Sequence, residues 1–541
     1  MKDYTKKQRT LIVLGVSLFI LIGSGLTYAA LTWATSNPIN IGLTSGCFEI
    51  NYTLGGAINN DNVEVMDEST LINNNKFTIT EGIALTYANI GIKSTCSIEG
   101  YGSLYLNVTS LSSAFSTGSS KGSLKYAILN NTSSSTTLTV AGLKDQSFDI
   151  VKTGTITSTG TKKILSKQLS NTSQYKYLIV FYIDGSKIGN DVVGASFAGN
   201  ISADVHQGTV KLNAVELITD LYTNAPKTTT ALNNITYNLA SSVGLMNDRK
   251  GSMSTGIDAG NIRYYGASPN NYIYFNCSDY SNQTSSTCET WRIIGVFDGK
   301  VKIMRGSSLG RYVWDSSASD INSGKGVNEW SQADLMKLLN SGYESESVGG
   351  SLYWNAKNGT CYIEENNATT SCDFTSTGLK NTETRNMIAE TTYYTRGHNS
   401  SSIYVDAMYD KERVSGTVYD STRTLTWPGK IALAYPSDYG YAVDLSQCKE
   451  TLNNYINKTC TGSNWMYNII TNNDSHIVWL LTPSSGFAYA VWDVLSGGGV
   501  FYGEYLAYVA YEVVPVLSLS SELDIGPGSG TSSSPYQLSV N

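Results

Sequence analysis

The residues with the most chemical potential in this 541-residue chain are its eight cysteines, and their spacing points away from catalysis. Six fall as local pairs, Cys277/Cys288, Cys361/Cys372 and Cys448/Cys460, each bracketing a polar stretch rich in Ser, Thr or Asn. Loops of that size closed by disulfides contribute about 3 kcal/mol each in the chain-entropy view. Cys47 and Cys96 complete the simplest scheme as a fourth bridge, although eight cysteines allow many connectivities. A zinc site wants ligands roughly two to four residues apart, and no two cysteines are that close. The three histidines, His206, His398 and His476, are far apart and form no His-Glu-x-x-His motif. With every cysteine paired, no thiol is left for a Cys-His nucleophile.

The carboxylates Asp438, Asp444, Asp493 and Glu504 are flanked by loop-type residues and read as solvated or turn-capping groups rather than a paired-acid centre. Asp315, Asp320 and Asn322 carry the oxygens that calcium prefers but lack EF-hand spacing; a structural calcium ion is the only cofactor they leave open. Gly497-Gly-Gly lacks the lysine of a phosphate-binding loop and reads as a turn. No catalytic or metal-ligating set emerges, and the chain reads as a non-enzyme.

Binding is better supported. Gly486-Phe-Ala-Tyr-Ala-Val-Trp-Asp-Val and Val500-Phe-Tyr-Gly-Glu-Tyr-Leu-Ala-Tyr-Val-Ala-Tyr set aromatics among small residues. Rigid rings surrounded by Ser, Gly and Asn recognise ligands at low ordering cost. The candidate ligand-binding residues are Tyr502, Tyr505, Tyr508 and Tyr511, with Trp492. Phe487, Tyr489 and Trp492 also alternate along a strand, a pattern equally suited to core packing.

Positioning these residues requires export and a scaffold. Lys2, Lys6, Lys7 and Arg9 precede an uncharged run from Leu11, and no charge returns until Glu49. The run is long enough to span a bilayer, where about 20 apolar residues suffice. Residues 1–10 are read as a cytoplasmic basic segment and 11–34 as a transmembrane signal-anchor, with secretion after signal cleavage as the alternative. Lys and Arg number 37 against 44 Asp and Glu, a net charge of -7 that offers no broad basic surface for nucleic acid. Pro38 is the only proline before Pro226, and every tryptophan except Trp33 lies from Trp291 onward. These shifts divide the exported part into residues 36–225, a connector at 226–254, and residues 255–541. The first part is a succession of strand-like runs, such as Tyr177-Leu-Ile-Val-Phe-Tyr-Ile before an Asp184-Gly185 turn, without a sustained 3.6-residue stripe. An antiparallel β-sandwich is expected. The second part mixes a hairpin turning at Asp298-Gly299, a helix from Trp330 to Leu339 with Ser331 as N-cap, a helix from Thr382 to Tyr393, and long loops. It reads as α+β.

Several segments carry a resemblance: Asn261-Ile-Arg-Tyr, Thr290-Trp-Arg-Ile-Ile-Gly, Trp330-Ser-Gln-Ala-Asp-Leu-Met, Trp427-Pro-Gly-Lys-Ile-Ala-Leu, Tyr435-Pro-Ser-Asp-Tyr-Gly-Tyr-Ala and Glu512-Val-Val-Pro-Val-Leu-Ser-Leu. From about Asn261 onward the chain resembles an uncharacterised domain of surface and exported proteins from Gram-positive and gut bacteria. Its C-terminal part resembles the C-type-lectin-like fold of formylglycine-generating enzymes and variable-binding proteins. That family usually has Arg-Pro-Val where this chain has Val514-Pro515-Val516. The first domain resembles the camelysin and biofilm-fibre β-sandwich proteins; no protease activity is carried over. The resemblance implies a membrane-anchored cell-surface adhesion or binding protein whose partner is an unknown surface protein or glycan. Alternatives are a structural subunit of a surface layer or fibre, and an extracellular hydrolase.

Overall fold

The computed structural model describes residues 39–539 apart from 46–47, 57, 60–62, 74–75, 95–99, 135–137, 170–173, 208–211, 251–259, 317–323, 364–368, 472–476 and 522. The proposed anchor at 11–34 and the proposed Cys47–Cys96 bridge lie outside the described residues. Among the described residues no helix is long and apolar enough to cross a membrane. The chain divides into two compact units, one from Met1–Lys211 with Thr255–Ile257, the other from Leu212–Ser254 with Asp258–Asn541.

The first unit is the expected β-structure. Its larger sheet runs Ile39–Ser45, Phe48–Leu54, Ala84–Ser94, Gln174–Asp184, Leu124–Asn130, Ser147–Thr155, Lys76–Thr78 and Ile72–Asn73, with Val65–Met66 added parallel to Gln174–Asp184. A smaller sheet runs Gly160–Leu169, Gly100–Leu111, Phe197–Gln207 and Ile58–Asn59. Within strand Gln174–Asp184, residues 177–183 are apolar at every position instead of alternating, and the packing explains why. Tyr177, Ile179, Phe181 and Ile183 face the smaller sheet, packing with Leu104, Leu106 and Ile201. Leu178, Val180 and Tyr182 face the other way, into a second core with Leu71, Phe77, Leu143 and Phe148. Both faces are covered, so neither side needs polar residues.

The second unit is built on a nine-stranded sheet. Its order is Thr228–Leu232, Ile235–Ala240, Leu245–Asn247, Ile262–Tyr264, Glu289–Phe297, Lys300–Arg305, Val516–Ser518 and Ile431–Ala432, with Tyr272–Phe275 paired to Glu289–Phe297. This corrects the expected boundary. The segment read as a connector, 226–254, supplies three of these strands, and helix Ala214–Asn224, read as part of the sandwich, belongs here too. That helix does carry an apolar stripe, overlooked in the sequence, in which Ala214, Ile218 and Tyr222 are buried; Asn213 and Glu216 form its capping box. A second sheet runs Arg311–Val313, Ala510–Glu512, Val478–Pro483, Ala490–Val494 and Val500–Leu506.

The Asp298-Gly299 hairpin is present, with both residues at positive φ (49° and 70°), as its two-residue turn demands. Helix Asp334–Leu339 is present, but Ala333 rather than Ser331 occupies its cap position. The expected helix over 382–393 stops at Asn386. Thr391–Tyr394 is instead a strand against Thr426–Gly429, where Tyr393 packs on Trp427 with ring centroids 5.7 Å apart. Tertiary pairing overrides the local helical reading. All three local cysteine pairs are bonded: Cys277–Cys288, Cys361–Cys372 and Cys448–Cys460.

Beneath the nine-stranded sheet lies a charged centre. Arg263 donates through Nε to Asp248 at 2.5 Å and through Nη1 to Asp438 at 3.0 Å, while Lys302 donates to the other Asp438 oxygen. Phe297 and Tyr441 lie 4.5 and 4.7 Å from the guanidinium. A π-helical turn, Lys411–Ser415, adds the Glu412–Arg413 pair, and Glu412 accepts the Ser437 backbone N–H at 2.8 Å. Asp438, expected as a solvated or turn-capping group, does cap helix Pro436–Tyr441 by accepting the Tyr435 N–H, but it is buried. Burial alone would raise its carboxyl. Lys302, Arg263 and Arg413 outweigh that and hold it well below the usual carboxylate range.

Two outcomes follow from this architecture. Residues 212–541 should fold alone with a cooperative thermal transition, whereas 255–541, lacking three strands, should show none by circular dichroism. Asp438→Ala should destabilise the second unit by about 3–5 kcal/mol in urea, because it strands the buried Lys302 and leaves Arg263 with Asp248 as its one carboxylate partner. Since the Asp438 pKa is depressed by folding, its contribution is present above the ordinary carboxylate range and is lost as pH falls through and below that range. Wild-type urea midpoints should therefore drop below about pH 4, and the Asp438→Ala protein should lose less over that interval.

Candidate functional site

The aromatic C-terminal residues do not form one exposed patch. Trp492 is fully enclosed: its indole N–H donates to the His398 carbonyl at 3.0 Å, and its ring lies 5.3 Å from that of Tyr502. It cannot offer a free face to a ligand, because its strand turns that side of the alternation inward. Tyr502 is half-buried and donates to the Asn399 carbonyl. Tyr511 is half-buried with its ring 4.8 Å from Trp479, and Tyr508 is also half-buried. The side chain of Tyr505 lies outside the described residues.

What the fold does bring to one surface is a different set. Phe487 is 44% exposed and Tyr419 is 42% exposed, both unusual for side chains of this size. They come from separate loops joined by polar contacts. The side-chain amide of Asn328 donates to the carbonyls of Ser484, Phe487 and Ala490 at 3.0, 2.9 and 2.6 Å. Its backbone N–H donates to the Ala488 carbonyl at 2.9 Å. Arg423 closes the join, donating to the Asn328 side-chain oxygen and, at 3.2 Å, to the Ala488 carbonyl. The same guanidinium lies 5.4 Å from the Tyr419 ring, and Lys325 stands 4.8 Å from the Tyr489 ring. Phe487 and Tyr489 are themselves 5.9 Å apart.

Local sequence explains why these loops hold their shape. Gly324 and Gly326 both have φ of 79°, and a Cβ at Gly326 would sit 2.3 Å from the Asp315 carbonyl oxygen, so the chain can turn here only with glycine. Asp315 accepts the Val327 N–H at 2.7 Å, and Glu329 accepts from Ser331 at 3.0 Å and Gln332 at 3.2 Å. The neighbouring strand Thr391–Tyr394 leads to Thr395, whose hydroxyl donates to the Thr424 carbonyl at 2.6 Å. Arg423 is partly buried, which lowers it, while Glu329 and Asp420 act in the opposite direction. Burial, and then nearby Lys411, lower His398 from the ordinary imidazole range.

The remaining sequence candidates are scattered. Asp444 caps its own turn, accepting Ser446 N–H at 2.9 Å, and Asp493 is buried. The Glu504 side chain lies outside the described residues, as do Asp320 and Asn322 of the suggested calcium set. Among the described residues, no group of three or more His, Cys, Asp or Glu side chains converges on a metal-sized space. The site brings together flat apolar rings, two cations and carbonyl-rich loops. Phe487 and Tyr489 were visible as aromatics in a small-residue stretch. Tyr419, Arg423, Lys325 and Asn328 were missed; the first two are signalled only as large side chains within the Ser- and Thr-rich run Thr417-Val-Tyr-Asp-Ser-Thr-Arg-Thr-Leu, and Lys325 and Asn328 carry no such signal.

No protein-family model matches the chain, and no curated protein matches it.

Because one amide ties three carbonyls, Asn328→Ala should release the 484–490 loop while leaving the sheets intact. Hydrogen exchange should show protection of residues 485–490 falling by at least tenfold, equivalent to about 1.4 kcal/mol of local stability. Unchanged protection would mean that the loop is held by other contacts.

Proposed function

We propose that the second unit is the recognition module of an exported bacterial surface protein and that it binds through the face bearing Phe487, Tyr489, Tyr419, Arg423 and Lys325. The observation that carries this reading is the exposure of Phe487 and Tyr419 on loops fixed by Asn328 and Arg423. A folded protein gains nothing in stability from large rings held in water, whereas preorganised rings lower the ordering cost of binding. Three disulfides fit an oxidising compartment. The proposed anchor at 11–34 would hold the protein at the membrane, and a C-type-lectin-like ancestry for the second unit accords with its long loops. The ligand class is a protein or glycan surface. Neither an anchor nor a lectin-like origin is required for the binding reading.

The test is a glycan and surface-protein array probed with residues 212–541. Phe487→Ala and Tyr419→Ala should each weaken the strongest interaction by at least tenfold, about 1.4 kcal/mol, with an unchanged thermal midpoint. Binding that survives both substitutions would place the ligand elsewhere.

A further inference from the structure

The first unit contains a group that binding does not explain. Lys125 is nearly buried, with its side chain 9% exposed, and its Nζ lies between two carboxylates: Asp184 Oδ2 at 2.7 Å and Glu68 Oε2 at 2.8 Å. Strand pairing brings the three together. Lys125 stands opposite Tyr182 on adjacent strands, and Asp184 is two residues beyond Tyr182 on the same face. Met66 pairs with Asp184 on the other side, so Glu68 follows two residues after that pairing. The face is apolar, with Ala127, Leu129, Val180 and Phe77 in its core.

The two Asp184 oxygens are treated differently. Oδ2 meets the lysine, while Oδ1 accepts two hydrogen bonds from Ser186, from the backbone N–H at 3.0 Å and from the hydroxyl at 2.7 Å. Two donors on the oxygen that would remain a carbonyl, and a nitrogen against the oxygen that would leave, are the arrangement required for acyl substitution. Glu68 is oriented by the Tyr182 hydroxyl, which donates to its Oε1 at 2.6 Å, leaving Oε2 toward the lysine.

We propose that Lys125 and Asp184 condense to an amide within the folded unit, with Glu68 moving the protons. The ammonium gives a proton to Glu68, and the freed amine attacks Cγ of Asp184. The developing charge on Oδ1 is held by Ser186. Glu68 returns its proton to Oδ2, a second proton passes from nitrogen through Glu68 to the same oxygen, and the C–Oδ2 bond breaks to release water. One C–N bond forms, one C–O bond breaks, and one water leaves; Glu68 ends as the carboxylate it began as. No oxidant, metal or cofactor enters the balance. The product suits the site: its carbonyl retains both Ser186 donors and its N–H points at Glu68. An ion pair whose desolvation is costly becomes a neutral amide. Held within about 3.5 Å, the reactants need no encounter step.

The experiment uses the purified full chain, denatured, reduced and digested with trypsin, followed by mass spectrometry. The peptides holding Lys125 and Asp184 should be recovered joined, at about 18 Da below their summed masses, with no cleavage after Lys125. Lys125→Arg and Asp184→Ala should give only separate peptides. In Glu68→Gln the joined fraction should form at least about a hundredfold more slowly, the usual loss on removing a proton-transfer group. Quantitative recovery of separate peptides, cut after Lys125, from folded wild-type protein would overturn the proposal. If Glu68→Gln does not fold, the wild-type digest alone decides whether the bond forms. Wild-type rates in a folded Glu68→Gln protein would overturn the assigned role of Glu68.

Discussion

The second unit depends on the ion pair between Arg263 and Asp438. Leaving either charge under-compensated in the core would cost several kcal/mol, which favours docking strand Ile262–Tyr264 and helix Pro436–Tyr441 together. Lys302 adds a neighbouring strand through Asp438, and Asp248 adds the end of strand Leu245–Asn247 through Arg263. Glu412 joins the same helix through the Ser437 N–H. Five segments separated by up to about half the unit's length thus share one compensated charge centre. Hydrophobic burial on both faces of the sheet supplies the bulk of the driving force, while the charges dictate which segments meet.

The face bearing Phe487 and Tyr419 stands on that arrangement at one remove. Thr391–Tyr394 and Thr426–Gly429 form a small sheet that delivers the Thr417–Thr424 loop, and Tyr435, next to the charged centre, donates from its hydroxyl to the Tyr394 carbonyl at 3.0 Å. Loops this long stay ordered only when their polar atoms are satisfied, and Asn328 and Arg423 satisfy those at the meeting point. Rigidity at the surface is thus inherited from a centre that no ligand reaches.

Much of the fold was legible from local pattern. Alternating or wholly apolar runs marked the strands, Asp298-Gly299 marked its hairpin, and three short cysteine spacings marked their own bridges. The boundary was not legible, because Thr228–Leu232 reads as polar loop until its partner Ile235–Ala240 is in place. Trp492, a candidate ligand-binding residue, is enclosed and Tyr419, not among the candidates, is exposed for a similar reason. An aromatic residue carries the same sequence signal whether it faces inward or outward, and only the tertiary neighbours decide. Asp438 looked like a surface group because its flanking residues are loop formers, while the two cations paired with it, Arg263 and Lys302, are more than a hundred residues earlier.

The sheet order also governs when the second unit can exist. Strand Val516–Ser518 lies between Lys300–Arg305 and Ile431–Ala432, and Leu212 and Ala214 are tied by backbone hydrogen bonds to Ile525 and Leu523. The opening residues of the unit therefore wait for its closing ones. During synthesis, the first unit has all its strands long before the second receives its last, so the two mature in sequence rather than together. Such distant pairings make folding slow, and the half-made sheet exposes open edges meanwhile. For this unit the vulnerable interval is the time between emergence of residue 305 and arrival of residue 516.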